Sequence, residues 1–125
     1  MDIKSMNKLV DDLKDNLGDA LLMCDISSFK AGSSVVSYKS NPKTATLVNK
    51  FSKYFIEMIS KAGVGESCNY YAVEVAGGVM MYVILAGDYC WSIMTDSKQV
   101  ANGMMLVGVL PECISGLKKA ASKEG

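Results

Sequence analysis

The chain has 125 residues, half of them hydrophobic and 21% charged, with a formal net charge of zero. This length and balance predict one globular domain over residues 1–125 that buries a core without disulfide or metal staples. The charge balance excludes the basic stripe on which nucleic acids and anionic membrane surfaces depend, so neither is expected as a partner.

All thirteen positive charges are lysine; arginine and histidine are absent. Histidine is the usual general base near neutral pH, so most acid–base and triad mechanisms lose their commonest member. Without arginine there is no bidentate phosphate clamp and no arginine finger. Cys24, Cys68, Cys90 and Cys113 form no C-x-x-C pair, and each sits among apolar residues. They read as reduced core thiols of a reducing compartment rather than metal or disulfide partners. Met1-Asp2-Ile3-Lys4-Ser5 has no signal-peptide features, and the longest apolar run, Val79 to Ala86, is too short to span a bilayer. A cytoplasmic location is expected.

Apolar residues Ile3, Met6, Leu9/Val10, Leu13 and Leu17 predict an amphipathic first helix, with Asp2 as N-cap and Gly18 after its last turn. Ala20 to Ile26 reads as a strand buried on both faces, Ser27 to Gly32 as a turn, and Ser33 to Lys39 as a second strand. Asn41-Pro42 opens a long helix, to about Ala62, that ends at Gly63 and Gly65. Its apolar positions Leu47, Val48, Phe51, Tyr54, Phe55, Met58, Ile59 and Ala62 span roughly 140° of a helical wheel. Ile56 falls outside that arc.

Three strands follow: Tyr70–Val75, Val79–Ala86 and Tyr89–Met94, joined by turns at Gly77-Gly78 and Gly87-Asp88. Asp96 or Ser97 is expected to cap a final helix running to about Ser122, with a kink or break at Pro111, which cannot donate to the Val107 carbonyl. The order α-β-β-α-β-β-β-α predicts a three-layer α/β (α+β) domain. A five-stranded antiparallel sheet with helices on both faces fits strands that read as buried on both sides.

No phosphate-loop, dinucleotide, zinc-protease or nucleophile-elbow motif occurs. Asp11, Asp12 and Asp15 read as a solvated helix face rather than a metal site. Glu74 is either a buried acid or, the preferred reading, a charge that keeps an edge strand from unwanted pairing. Met80-Met81, Met104-Met105 and Trp91 read as core. The expectation is a chain that is not an enzyme and binds no cofactor or metal. The second helix carries a wider apolar stripe than a sheet-covering helix needs. That stripe either fills a wide core contact or leaves Phe51, Tyr54, Phe55 and Met58 for a partner.

The element order resembles the roadblock / dynein light-chain family, whose profilin-like arrangement has a compact hairpin before a long second helix. The local likeness lies in Trp91-Ser92-Ile93-Met94-Thr95-Asp96, leading through Val100-Ala101-Asn102-Gly103-Met104-Met105-Leu106 into the last helix. Asp25 resembles the family's acidic turn after the first strand, and Pro111 departs from its uninterrupted last helix. The resemblance implies a dimer in which third strands pair across a two-fold axis beside the second helices. Here that means Phe51, Tyr54, Phe55, Met58, Tyr71, Val73 and Val75. It also implies a non-catalytic regulator or scaffold of a small Ras-like GTPase. The alternatives are a structural adaptor subunit, or a small-molecule sensor with a pocket near Trp91 and the methionines.

Overall fold

The computed structural model describes residues 2–63 and 68–122. Helix α1 (Ile3–Leu17) starts where the Asp2 carboxylate accepts the Ser5 N–H at 3.1 Å and stops at Gly18, whose φ of +55° turns the chain. Strands β1 (Leu21–Ser28) and β2 (Ser33–Tyr38) form a hairpin. Helix α2 (Pro42–Ala62) starts where Asn41 accepts the Lys43 N–H at 2.9 Å and ends at the left-handed Gly63. Gly65, read with Gly63 as the helix stop, lies outside the described residues. Strands β3 (Tyr70–Val75), β4 (Val79–Ala86) and β5 (Tyr89–Asp96) form a meander; Gly77 and Gly78 turn its first corner with φ of +92° and +81°.

The five strands make one antiparallel sheet in the order β2-β1-β5-β4-β3. At its centre β1 meets β5, with Cys24 opposite Ile93 and Ile26 opposite Trp91. β4 is apolar throughout because both its faces are covered. Tyr82 and Ile84 join Trp91, Ile93, Met6, Val10, Leu110 and Leu117 in the main core under the first and last helices. Val83 and Leu85 point the other way, into a smaller cluster with Cys90, Val48 and Tyr71 on the α2 side. Helices therefore lie on both faces of the sheet, as the pattern of the strands predicts.

Several local expectations are revised. β1 continues through Ser28, because Ser27 and Ser28 find partners on both neighbouring strands. Asp25 is therefore no turn residue. It lies within β1, 2% exposed, and its Oδ2 accepts the Ser34 hydroxyl at 2.5 Å. Asp96 closes β5 instead of opening a helix. Its carboxylate accepts the Lys98 N–H at 3.0 Å and the Gln99 amide at 2.9 Å, while its carbonyl takes the Gln99 and Val100 N–H groups.

The helical segment begins only at α3 (Asn102–Met104), widens into a π turn at Met105–Val109, and continues as α4 (Leu110–Ser122). The Leu110 N–H reaches back five residues to the Met105 carbonyl, so the ladder is already re-registered when Pro111 arrives without a donor. The expected disturbance thus takes the form of a π turn just before the proline. Met105 is fully buried, but Met104 is exposed and is not core.

Candidate functional site

The buried side of α2 is not its aromatic stripe. Ala45, Asn49 and Ser52 are the buried residues of this helix. The strand beneath it explains why. β1 offers Ser27 and Ser28 there, and Asn49 Nδ2 donates to Ser27 Oγ at 2.9 Å and to the Ser28 carbonyl at 3.2 Å. Ser52 Oγ lies 2.7 Å from the Tyr71 hydroxyl. Buried polar groups must find partners, and the small residues of this seam bring α2 close to the sheet.

With that seam facing inward, the apolar stripe turns outward. Phe51 is 52% exposed and Tyr54 65%; Leu47, Ile56 and Met58 are exposed too, and Phe55 is half-buried. The sheet contributes the rest of the surface. Tyr71, Val73 and Val75 stand opposite Val83, Met81 and Val79, so they point to the α2 side of the sheet. β3 is an edge strand, with Tyr70, Val73 and Val75 exposed.

An aromatic cluster joins helix to strand. The Phe55 and Tyr71 rings are 4.9 Å apart, Phe51 and Tyr71 5.8 Å edge-on, and Phe51 and Phe55 6.2 Å stacked. Of the seven residues singled out from sequence, Phe51, Phe55 and Tyr71 are thus in direct contact. Val73 and Val75 continue the same sheet face, and Tyr54 and Met58 extend the helix surface beyond the ring cluster. Asn49 and Ser52, which set the rotation of α2, were missed. Their signal was the small and polar spacing Ala45, Asn49, Ser52 on an otherwise amphipathic helix.

Glu74, next to Val73 on β3, is exposed on an edge strand rather than buried. Asp11 and Asp12 form surface ion pairs with Lys14 and Lys8. Among the described residues, no group of three cysteines or carboxylates could hold a metal ion, and no helix is long and apolar enough to cross a membrane. Desolvation pushes the Cys24 thiol up to about 11 and the Cys113 thiol up to about 12, and raises that of Cys90. These groups stay protonated and poorly nucleophilic near neutral pH.

On the opposite face, a half-open cleft of about 160 Å³ lies between α1 and α4, above Trp91. Leu9, Leu13, Val109 and Cys113 line it and Asp12, Asn16 and Glu112 stand at its rim; no methionine contributes.

No family model and no curated relative matches the sequence. Solved structures do match. The chain has the fold of the roadblock/LC7 domains: it superposes on the Streptomyces avermitilis Roadblock/LC7 domain with a TM-score of 0.68 at 14% identity, covering 93% of this chain and 97% of that one. Within that fold it resembles MglB. Myxococcus xanthus MglB gives a TM-score of 0.78 at 13% identity, covering 96% of this chain and 90% of that one. An MglB solved in a tetrameric arrangement gives 0.72 at 13% identity, covering 95% and 91%.

Proposed function

We propose that this chain is a non-catalytic, dimeric regulator or scaffold of a small Ras-like GTPase. One observation carries the reading: an unbroken apolar surface runs from the outer flank of α2 (Leu47, Phe51, Tyr54, Met58) onto the edge strand β3 (Val73, Val75). Exposed apolar surface of this extent favours association. A strand edge with unpaired backbone groups favours a second strand beside it. A two-fold axis along β3 would use both at once, pairing the strands into one continuous sheet and laying the two α2 helices side by side.

The GTPase as partner follows from the roadblock resemblance and the likeness to MglB, and an MglB solved in a tetrameric arrangement supports self-association. A chain without arginine supplies no finger to the nucleotide. Any stimulation of hydrolysis therefore arises from tighter binding to one conformation of the GTPase's own switch segments.

The test is a pull-down of Ras-like GTPases encoded in the same genome, each loaded with GDP or a non-hydrolysable GTP analogue, using the purified protein. Preference for one nucleotide state is expected. Equal binding of both states would leave a scaffold and remove the regulator; no binding to any of them would overturn the GTPase reading.

A further inference from the structure

We propose that the cleft between α1 and α4 is a binding site for a small organic ammonium ion with an aromatic or branched-alkyl body, of about the size of benzylamine. It lies on the side of the sheet away from α2 and does not depend on the function proposed above.

Size sets the first limit. A volume of about 160 Å³ is close to that of apolar cavities known to accept a benzene ring. The chemistry of the walls sets the second. Leu9, Leu13, Val109 and Cys113 form an apolar floor over the fully buried Trp91. The apolar side chains and an indole beneath a ring favour an aromatic occupant. Leu9 holds its place on the wall because position 116 is glycine. A Cβ there would come within 2.4 Å of Leu9 Cδ2 and push that side chain from its place on the wall.

The rim fixes the charge. Asp12, Asn16 and Glu112, all exposed, complete the lining. Lys8 reaches Asp12 at 3.0 Å, but both side chains are largely exposed, so the pair is weak. Among the described residues no lysine pairs with Glu112. An apolar body in the cleft would therefore place its polar end among carboxylates. An ammonium gains charge-assisted hydrogen bonds there; a carboxylate is repelled. The Trp91 indole makes no hydrogen bond of ordinary geometry, although it sits near enough to the Cys24 thiol to offset part of that group's desolvation.

Trp91 is the only tryptophan in the chain, so its emission reports on the cleft without a label. Fluorescence titrations of the full chain with benzylamine, benzyl alcohol and benzoate test the site. Benzylamine should give a saturable change with a Kd on the order of 1 mM, a value in keeping with so few heavy atoms. Benzyl alcohol should bind about ten-fold more weakly, and benzoate should not saturate. Glu112→Gln should bring benzylamine down to the level of benzyl alcohol, and Val109→Phe, which fills the floor, should abolish binding. No saturable response to benzylamine, equal binding of benzoate, or full binding by a folded Val109→Phe chain would each overturn the proposal. Should Val109→Phe fail to fold, saturation transfer from the Leu9 and Val109 methyl groups to the benzylamine ring is required in the unmodified chain, and its absence overturns the site equally.

Discussion

Ser52 Oγ and the Tyr71 hydroxyl lie 2.7 Å apart, the one side-chain hydrogen bond among the described residues that ties α2 to the edge strand β3. Ser52 is fully buried and Tyr71 half-buried, and Phe51 and Phe55 both pack their rings on Tyr71. It holds the helical and strand halves of the apolar surface in fixed relation.

Removing the bond alone should loosen that relation. Tyr71→Phe keeps the ring but takes the Tyr71 hydroxyl from Ser52, leaving it only the weaker Cys90 thiol, and losing such a hydrogen bond costs about 1 kcal/mol. Urea unfolding should show the midpoint falling with the slope unchanged. The double variant Tyr71→Phe/Ser52→Ala should recover part of the loss, since no hydroxyl then lacks a strong partner. A single variant as stable as the parent would mean that the bond contributes nothing.

Phe51→Ala and Tyr54→Ala separate an exposed apolar surface from a core. Truncating a buried aromatic costs about 3–5 kcal/mol. These two side chains are more than half exposed in one copy, so under conditions where the chain is monomeric each loss should stay below about 1.5 kcal/mol. Self-association, followed by sedimentation equilibrium, should weaken markedly in the same variants. Core-like destabilisation of the monomer would show that the rings serve the fold and not a partner.

Val73→Lys places a charge in the middle of β3 on an exposed site. Edge lysines discourage strand pairing. Light scattering after size exclusion should give the mass of one chain, with the circular dichroism of the parent retained. A mass still that of two chains would move the self-contact away from β3.

The buried carboxylate of Asp25 gives the fold a pH dependence. Desolvation raises its pKa above the ordinary 3.8, with the hydrogen bond from the Ser34 hydroxyl acting in the opposite direction. The folded chain therefore keeps this proton to a higher pH than the unfolded chain does. The stability it contributes is complete below 3.8 and is lost as pH rises through the raised folded value. In Asp25→Asn, that part of the decline in stability above pH 3.8 should vanish. Urea midpoints measured across this window test it; an unchanged slope in the variant would show that Asp25 ionises in the folded chain as it does in water.

Much of the architecture was legible in the residues because its causes are local. Asp2, Asn41-Pro42 and Gly63 end or begin helices through hydrogen bonds and backbone angles within a few residues. Gly77-Gly78 turns a hairpin for the same reason, and the apolar run of β4 announces a strand covered on both sides. Where a cause lay further away, the residues misled. Ser27 and Ser28 look like a turn until β5 and Asn49 supply their partners. Asp25 resembles an acidic turn residue until Ser34, nine positions on, reaches it. Asp96 looks like a helix cap, yet it caps a tight turn, and the helix waits until Asn102.

The sequence alone determined the element order, the capped ends, the absence of arginine and histidine, and that α2 and β3 carry more apolar surface than a covering helix and strand require. It left open whether that surface faces inward. Only the tertiary structure decided this, because a helix settles with whichever side satisfies the groups beneath it. Ser27, Ser28 and Tyr71 demanded the polar seam of Asn49 and Ser52, and that rotation placed Phe51 and Tyr54 in the open beside Val73. The pairing of β1 with β5, which builds the sheet on which all of this rests, joins residues more than sixty positions apart, and no local pattern specifies it.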